Sequence, residues 1–182
     1  MPDTLSSDTA LWAATLVRVR RELKNLPAGE RDWLAAQIAR IGELQTGLDR
    51  LFRAIGGPEL CTACLGGCCS RAKHHVTLTN LLGYLLSGEE PPRPDFTLAC
   101  PMLGAQGCRL PVAHRPFNCI IFLCDEIDRQ LTPGQREHFA GIEADLRRGY
   151  HEVAKRCPGA SLRGLLLGAT RVGERPLLTQ YA

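Results

Sequence analysis

The stretch Cys61-Thr62-Ala63-Cys64-Leu65-Gly66-Gly67-Cys68-Cys69 sets four thiols within nine residues. Two cysteines at x2 spacing can turn both sulfurs toward one ion, as in zinc knuckles and iron–sulfur loops. Gly66 and Gly67 let the backbone fold tightly around such a site. A second group follows: Cys100-Pro101, Cys108, then Arg115-Pro116-x2-Cys119-x4-Cys124. Of the 9 cysteines in 182 residues, Cys157 alone lies outside the two groups. The expected fold is mainly α: a small helical domain built around an irregular cysteine-rich metal-binding centre, with an N-terminal helical hairpin.

Outward from the cysteines the pattern is helical on both sides. Leu11, Trp12, Leu16, Val19 and Leu23 recur at helical steps, and Asn25-Leu26-Pro27-Ala28-Gly29 interrupts them. Leu34, Ile38, Ile41, Leu48, Phe52 and Ile55 continue until Gly56-Gly57-Pro58 stops the run. Gln45 falls where a heptad seam needs an apolar residue, which argues against a sustained coiled coil. Residues 1–57 therefore read as a helical hairpin, either packed on the rest of the domain or serving as a dimerisation surface.

Residues 58–128 form the cysteine-cluster region. Within it Glu59 to Arg71 is expected to be irregular and His74 to Leu78 extended. Thr79 is expected to cap a helix through Leu86, which Ser87-Gly88 closes. Pro91, Pro92 and Pro94 make Glu89 to Asp95 a loop, Ala99 to Pro116 is irregular, and a short helix opens within Cys119 to Ile127. Residues 129–182 supply C-terminal helices packing on the same domain. A long one starts at Thr132-Pro133 and carries Phe139, Ile142, Leu146, Tyr150 and Val153 on one side. Pro158-Gly159 stops it, and a short helix covers Leu162 to Ala169. The middle of the chain is expected to be held by something other than a large core.

Charge and composition narrow the function. Lys and Arg number 22 against 19 Asp and Glu, and a net charge of +3 is too small to argue for nucleic acid or an anionic membrane. Aromatic residues, at 5%, are too few for a base-stacking surface. No run of 18 apolar residues exists, so no transmembrane helix is expected. Arg18, Arg20 and Arg21 interrupt the stretch that a secretory signal would need. A cytoplasmic, reducing location is the expectation, where clustered cysteines point to metal or catalysis rather than disulfides.

The candidate ligands are Cys61, Cys64, Cys68, Cys69, Cys100, Cys108, Cys119 and Cys124. Neighbouring side chains diverge, so Cys68 and Cys69 reach two ions, or one of the two bridges or stands behind the other. Two four-thiolate sites, one cubane with spare cysteines, and a thiolate-bridged pair all satisfy the count. Four thiolates on a divalent ion leave a charge of minus two, which Arg71, Lys73, Arg109 and Arg115 are placed to offset. Cys61-x2-Cys64-x3-Cys68 has the compact form of a cubane loop, so an iron–sulfur cluster of the 4Fe-4S type is expected before zinc. Zinc would instead make a closed structural site that supplies folding energy.

Other residues read more plainly. His74-His75 reads as a surface pair first and as ligands second, His114 as a neighbour of the second group that could support its ligands, and His138 and His151 as facing solvent. Cys157 is a structural thiol, and Asp125, Glu126 and Asp128 mark a helix terminus. No dinucleotide, phosphate-loop, serine-hydrolase or zinc-protease motif is present, so a binding role is expected over catalysis.

The pattern Cys61-x2-Cys64, Cys68-Cys69, Cys100-Pro101, Cys108 and Arg115-Pro116-x2-Cys119-x2-Phe122-x-Cys124 resembles the YkgJ-type cysteine-cluster family. The likeness spans residues 59 to 126, about a third of the chain. That family is described as zinc- or iron-chelating, and a related domain occurs in flagellin lysine N-methylases. Here three residues rather than the family's two separate Cys64 from the Cys-Cys pair, and Ile120 stands where an arginine is expected. The resemblance implies metal binding and little about a reaction. With the residues it leads to a redox, sensing or metal-handling module around an iron–sulfur cluster. The alternative is a zinc-binding structural or interaction protein, whose N-terminal helices meet a protein partner or a second copy of the chain. An accessory part of a methyltransferase-like enzyme is a third reading, which the absence of motifs for an S-adenosylmethionine-binding domain argues against.

Overall fold

The computed structural model describes residues 3–63, 67–105 and 107–179, the side chains of residues 3–6 and of Ser70 excepted. It is mainly helical, as the periodicity predicts, with 65% of residues in helices and 2% in strands. Helix α1 (Asp3–Asn25) and helix α2 (Ala28–Ala54) meet at a corner that buries Leu26. Arg31 pins the corner by donating to the carbonyls of Leu23 and Lys24, each at 3.1 Å.

Each of these helices lays its apolar face on a C-terminal one. Helix α2 packs along α7 (Pro133–Arg156), and α1 packs on α8 (Leu165–Val172). Glu22 of α1 also accepts the backbone N–H groups of Leu177 and Leu178 at 2.8 and 2.9 Å. The stripe Trp12, Val19 and Leu23, one of the two faces of the expected dimerisation surface, is thus buried within the chain itself. Helix α7 begins where its residues predict. Thr132 accepts from the Gln135 N–H, the Gln135 side chain returns to the Thr132 N–H, and Pro133 takes the first position.

The middle departs from expectation in three ways. Glu59 to Arg71 is not irregular throughout: Gly57–Ala63 forms helix α3, and Gly67–Arg71 forms a 3₁₀ turn. Pro58 lies at the second position of α3, where a proline starts a helix as readily as it ends the previous one. Helix α4 (Leu78–Leu86) is capped by Thr77, not Thr79. Asn80 decides this, because its carboxamide reaches back to the Thr77 N–H at 2.9 Å and completes the reciprocal cap. Third, the middle has an apolar core. Leu78, Leu81, Leu82, Phe96, Met102, Leu110 and Phe117 join the same buried cluster as Leu34, Leu146 and Leu165.

The remaining pieces are short. Leu103–Gly104 (β1) pairs antiparallel with Gly107–Cys108 (β2), setting Leu103 opposite Cys108. Two short helices, α5 (Phe117–Ile121) and α6 (Asp125–Asp128), stand where one was expected. Helix α8 starts three residues after the expected Leu162, because Ser161 first makes a local turn with Arg163. Gly164 fits there for want of a side chain: a Cβ would lie 1.7 Å from the His74 carbonyl oxygen. That close approach, with the Leu165 N–H donating to the Val76 carbonyl at 2.6 Å, ties α8 to the segment bearing His74 and His75.

Candidate metal centre

Three chain segments bring cysteines together. Cys68 and Cys69 lie on the 3₁₀ turn, Cys100 precedes the β1–β2 hairpin and Cys108 ends it, and Cys119 sits in α5. The hairpin is closed by Arg109, whose guanidinium donates to the carbonyls of Pro101 at 2.6 Å and Arg93 at 3.0 Å. Helix α5 is anchored on its inner side by Phe117, which meets the Tyr150 ring edge-on at 5.5 Å. Cys119 lies two residues along α5, and its sulfur is 3.4 Å from His75 Nδ1.

The thiols act on one another. Burial pushes Cys69 up to about 12, with further contributions from the charges of Cys68, Cys100 and Cys108. Cys119 is also pushed up to about 12, by burial first and then by Cys108, Cys100, Cys69 and Cys68. Five thiols therefore lie within electrostatic reach of each other, and as thiolates they would repel unless a cation stood among them. They do not close on a common point: among the described residues no three His, Cys, Asp or Glu side chains form a metal-holding group.

Cys100 shows the local chemistry most clearly. Burial raises its pKa, while the backbone N–H groups of Met102 and Leu103 and the Arg109 charge oppose that rise. Burial prevails, so Cys100 holds its proton more tightly than a free thiol does. The surrounding core feels the same cluster. The buried Tyr84 hydroxyl has no hydrogen-bond partner among the described residues, and after burial the charge of Cys108 is the largest influence raising it to about 12. Sulfur donors of this kind suit a thiophilic ion, and the Arg109 charge acts on Cys100 while its guanidinium is held by the Pro101 and Arg93 carbonyls.

The other candidates divide. Cys61 lies in α3 and Cys124 at the N-cap of α6, and these two helices pack on each other. Cys64 lies outside the described residues. Cys157 is 1% exposed at the end of α7 and belongs to the core, as its isolated position predicts. His138 and His151 are exposed. Glu126 and Asp128 are held in ion pairs by Arg129 and Arg136 at the α6 turn. Lys73 pairs with Asp8 at 3.4 Å and Arg115 with Asp49 at 3.7 Å, so neither is held in reserve for the thiolates alone.

Sequence reasoning passed over two features. The first is the setting of His75, which the sequence places at the surface before it offers it as a ligand; it is half-buried, and its pKa is lowered by burial and then by His74. The second is the buried polar network beneath α5. The Arg115 carbonyl accepts from both Gln45 Nε2 and Asn80 Nδ2, the latter at 2.9 Å, and Asn80 also reaches Tyr150 Oη at 3.0 Å. Gln45, read as a flaw in a seam, is fully buried at this junction. The network holds Arg115-Pro116, and hence the start of α5, in place below Cys119. A groove of about 430 Å³ lies elsewhere, between α2 and α7, and no cysteine lines it. No helix among the described residues is long and apolar enough to cross a membrane. No protein-family model matches this chain, and no curated protein or solved structure matches it. The family resemblance accordingly rests on the cysteine pattern of residues 59 to 126 alone.

Proposed function

We propose that this chain is a metal-binding protein whose central thiolates hold an iron–sulfur cluster, making it a redox, sensing or metal-handling module. The observation that carries the reading is the gathering of Cys68, Cys69, Cys100, Cys108 and Cys119 from three separate segments. The Arg109 charge near Cys100 supports it, since it works against the rise that burial imposes on that thiol. Zinc is the second reading, and one contact favours it: His75 beside Cys119 adds an imidazole to the thiols, a donor that zinc accepts readily.

Purification without oxygen, followed by absorption spectroscopy and elemental analysis, tests both. A coloured protein with iron and acid-labile sulfide establishes the first reading. A colourless protein with whole-number zinc establishes the second. Cys100→Ser and Cys108→Ser should each lose most of the bound metal. Full retention in both, or a metal-free native protein, would overturn the proposal.

A further inference from the structure

Helices α2 and α7 lie antiparallel along each other. Arg156 Nη1 reaches Glu30 at 3.1 Å near the start of α2. Farther along, a Cβ on Gly149 would meet Ile41 at 3.0 Å, and one on Gly47 would meet Ile142 at 3.6 Å. The groove of about 430 Å³ lies along this second half of α2. Its floor is apolar, formed by the half-buried Leu44 and Leu51 of α2 and Ile142 of α7. Gly47 falls on the same stripe, three residues after one leucine and four before the other, and leaves the middle unfilled. Packing within the chain does not require that glycine. A Cβ at 3.6 Å from Ile142 is in ordinary contact, and alanine is the better helix former.

The rim adds charge that the chain itself does not use. Arg40 and Arg50 line the groove together with Glu43 and His138. The nearby guanidinium groups of Arg53, Arg147 and Arg156 are held by Asp49, Glu143 and Glu30. Those of Arg40 and Arg50 have no hydrogen-bond or ion-pair partner among the described residues. Arg50 folds back over the groove, its Nη2 lying 4.0 Å from where a Gly47 Cβ would stand. A guanidinium fork matches a carboxylate bidentately, and beside an apolar floor it favours an anion that brings an apolar part of its own. Two arginines against one glutamate, with His138 neutral, leave a single positive charge, which suits a monoanion better than a dianion. The volume also falls in the range of about 300–1,000 Å³ typical of small-molecule sites. We propose that this groove binds a free aliphatic carboxylate, its chain on Leu44, Leu51 and Ile142 and its head on Arg50, with Arg40 adding attraction. No cysteine lines the groove, so the site is independent of the metal reading.

The test titrates octanoate into the full chain and follows backbone amide resonances by NMR. Saturable shifts should gather on residues 40–51 and 138–142. Octanol, which has the chain without the charge, should bind at least about 10-fold more weakly, as loss of a charge-assisted hydrogen bond requires. Acetate, which has the charge without the chain, should leave the resonances in place. Arg50→Gln should weaken octanoate by a similar factor and bring it near octanol. Gly47→Leu fills the groove and should abolish binding, while an unchanged or raised unfolding midpoint shows that the fold survives. Shifts centred on the cysteine segments, equal affinity for octanoate and octanol, or undiminished binding in either variant would overturn the proposal. So would the lack of any saturable shift up to the solubility limit of octanoate.

Discussion

Gly83 carries a prediction whose sign depends on one neighbour. It lies inside α4 under the His114 ring, where a Cβ would stand 2.5 Å from Nδ1. Alanine in a helix interior gains about 1 kcal/mol over glycine, whereas overpacking a fixed ring costs about 1–3 kcal/mol. The ring is fixed, because it packs at a 47° tilt against Tyr84 with centroids 4.3 Å apart. Gly83→Ala should therefore lower stability in the native chain and raise it in a His114→Ala background, a reversal that denaturant unfolding would reveal. Cys157 gives a second residue-scale expectation. Burial, then Glu30 and Glu22, raise its thiol from an ordinary 9.0 to about 12. The folded chain holds this proton more tightly than the unfolded one, so the stability it contributes is complete below pH 9.0 and falls as pH rises toward about 12. At pH 8, with metal stripped by a chelator, a thiol reagent should label the exposed Cys68 and Cys108 and reach Cys157 only on unfolding; Cys157→Ala should flatten the alkaline fall.

Helices with apolar periodicity and strong caps were legible in the sequence, and those set by long-range contacts were not. Helix α7 was readable to its first turn, because Thr132, Pro133 and Gln135 are local signals. The cap of α4 was misplaced by two residues: Thr77 and Thr79 look alike, and only the reach of Asn80 separates them. The cysteines could be named from spacing, yet the contact between His75 and Cys119 spans 44 residues and leaves no local trace. Gln45 shows the difference at the scale of a helix. By pattern alone, Gln45→Leu should mend the apolar seam of α2 and stabilise it. The folded chain predicts the opposite, because the Arg115 carbonyl loses one of its two donors at a buried junction. The carbonyl keeps Asn80, so a loss of about 0.5–1.5 kcal/mol is expected, and a gain in unfolding midpoint would show that this network does not hold α5.

For the whole molecule the question is whether metal holds the fold or the fold holds the metal. A thin middle stapled by cysteines would unfold when the metal is removed, as small zinc domains do. The buried cluster argues otherwise, since it runs without interruption from Trp12 through Leu78 and Phe117 to Leu178 and includes no clustered cysteine among its fully buried members. Chelation should then leave the far-ultraviolet helical signal nearly intact. Stability should still fall by the binding free energy, about 4 kcal/mol for metal at 1,000 times its Kd, or about 10 °C in Tm for a chain of this length. Amide exchange should quicken at Gly67–Arg71 and the β1–β2 hairpin while α2 and α7 stay protected, because only the former pair of elements would be clamped by the ion. Collapse of the helical signal on chelation would reverse the argument and make the cysteines the staple on which the other helices depend.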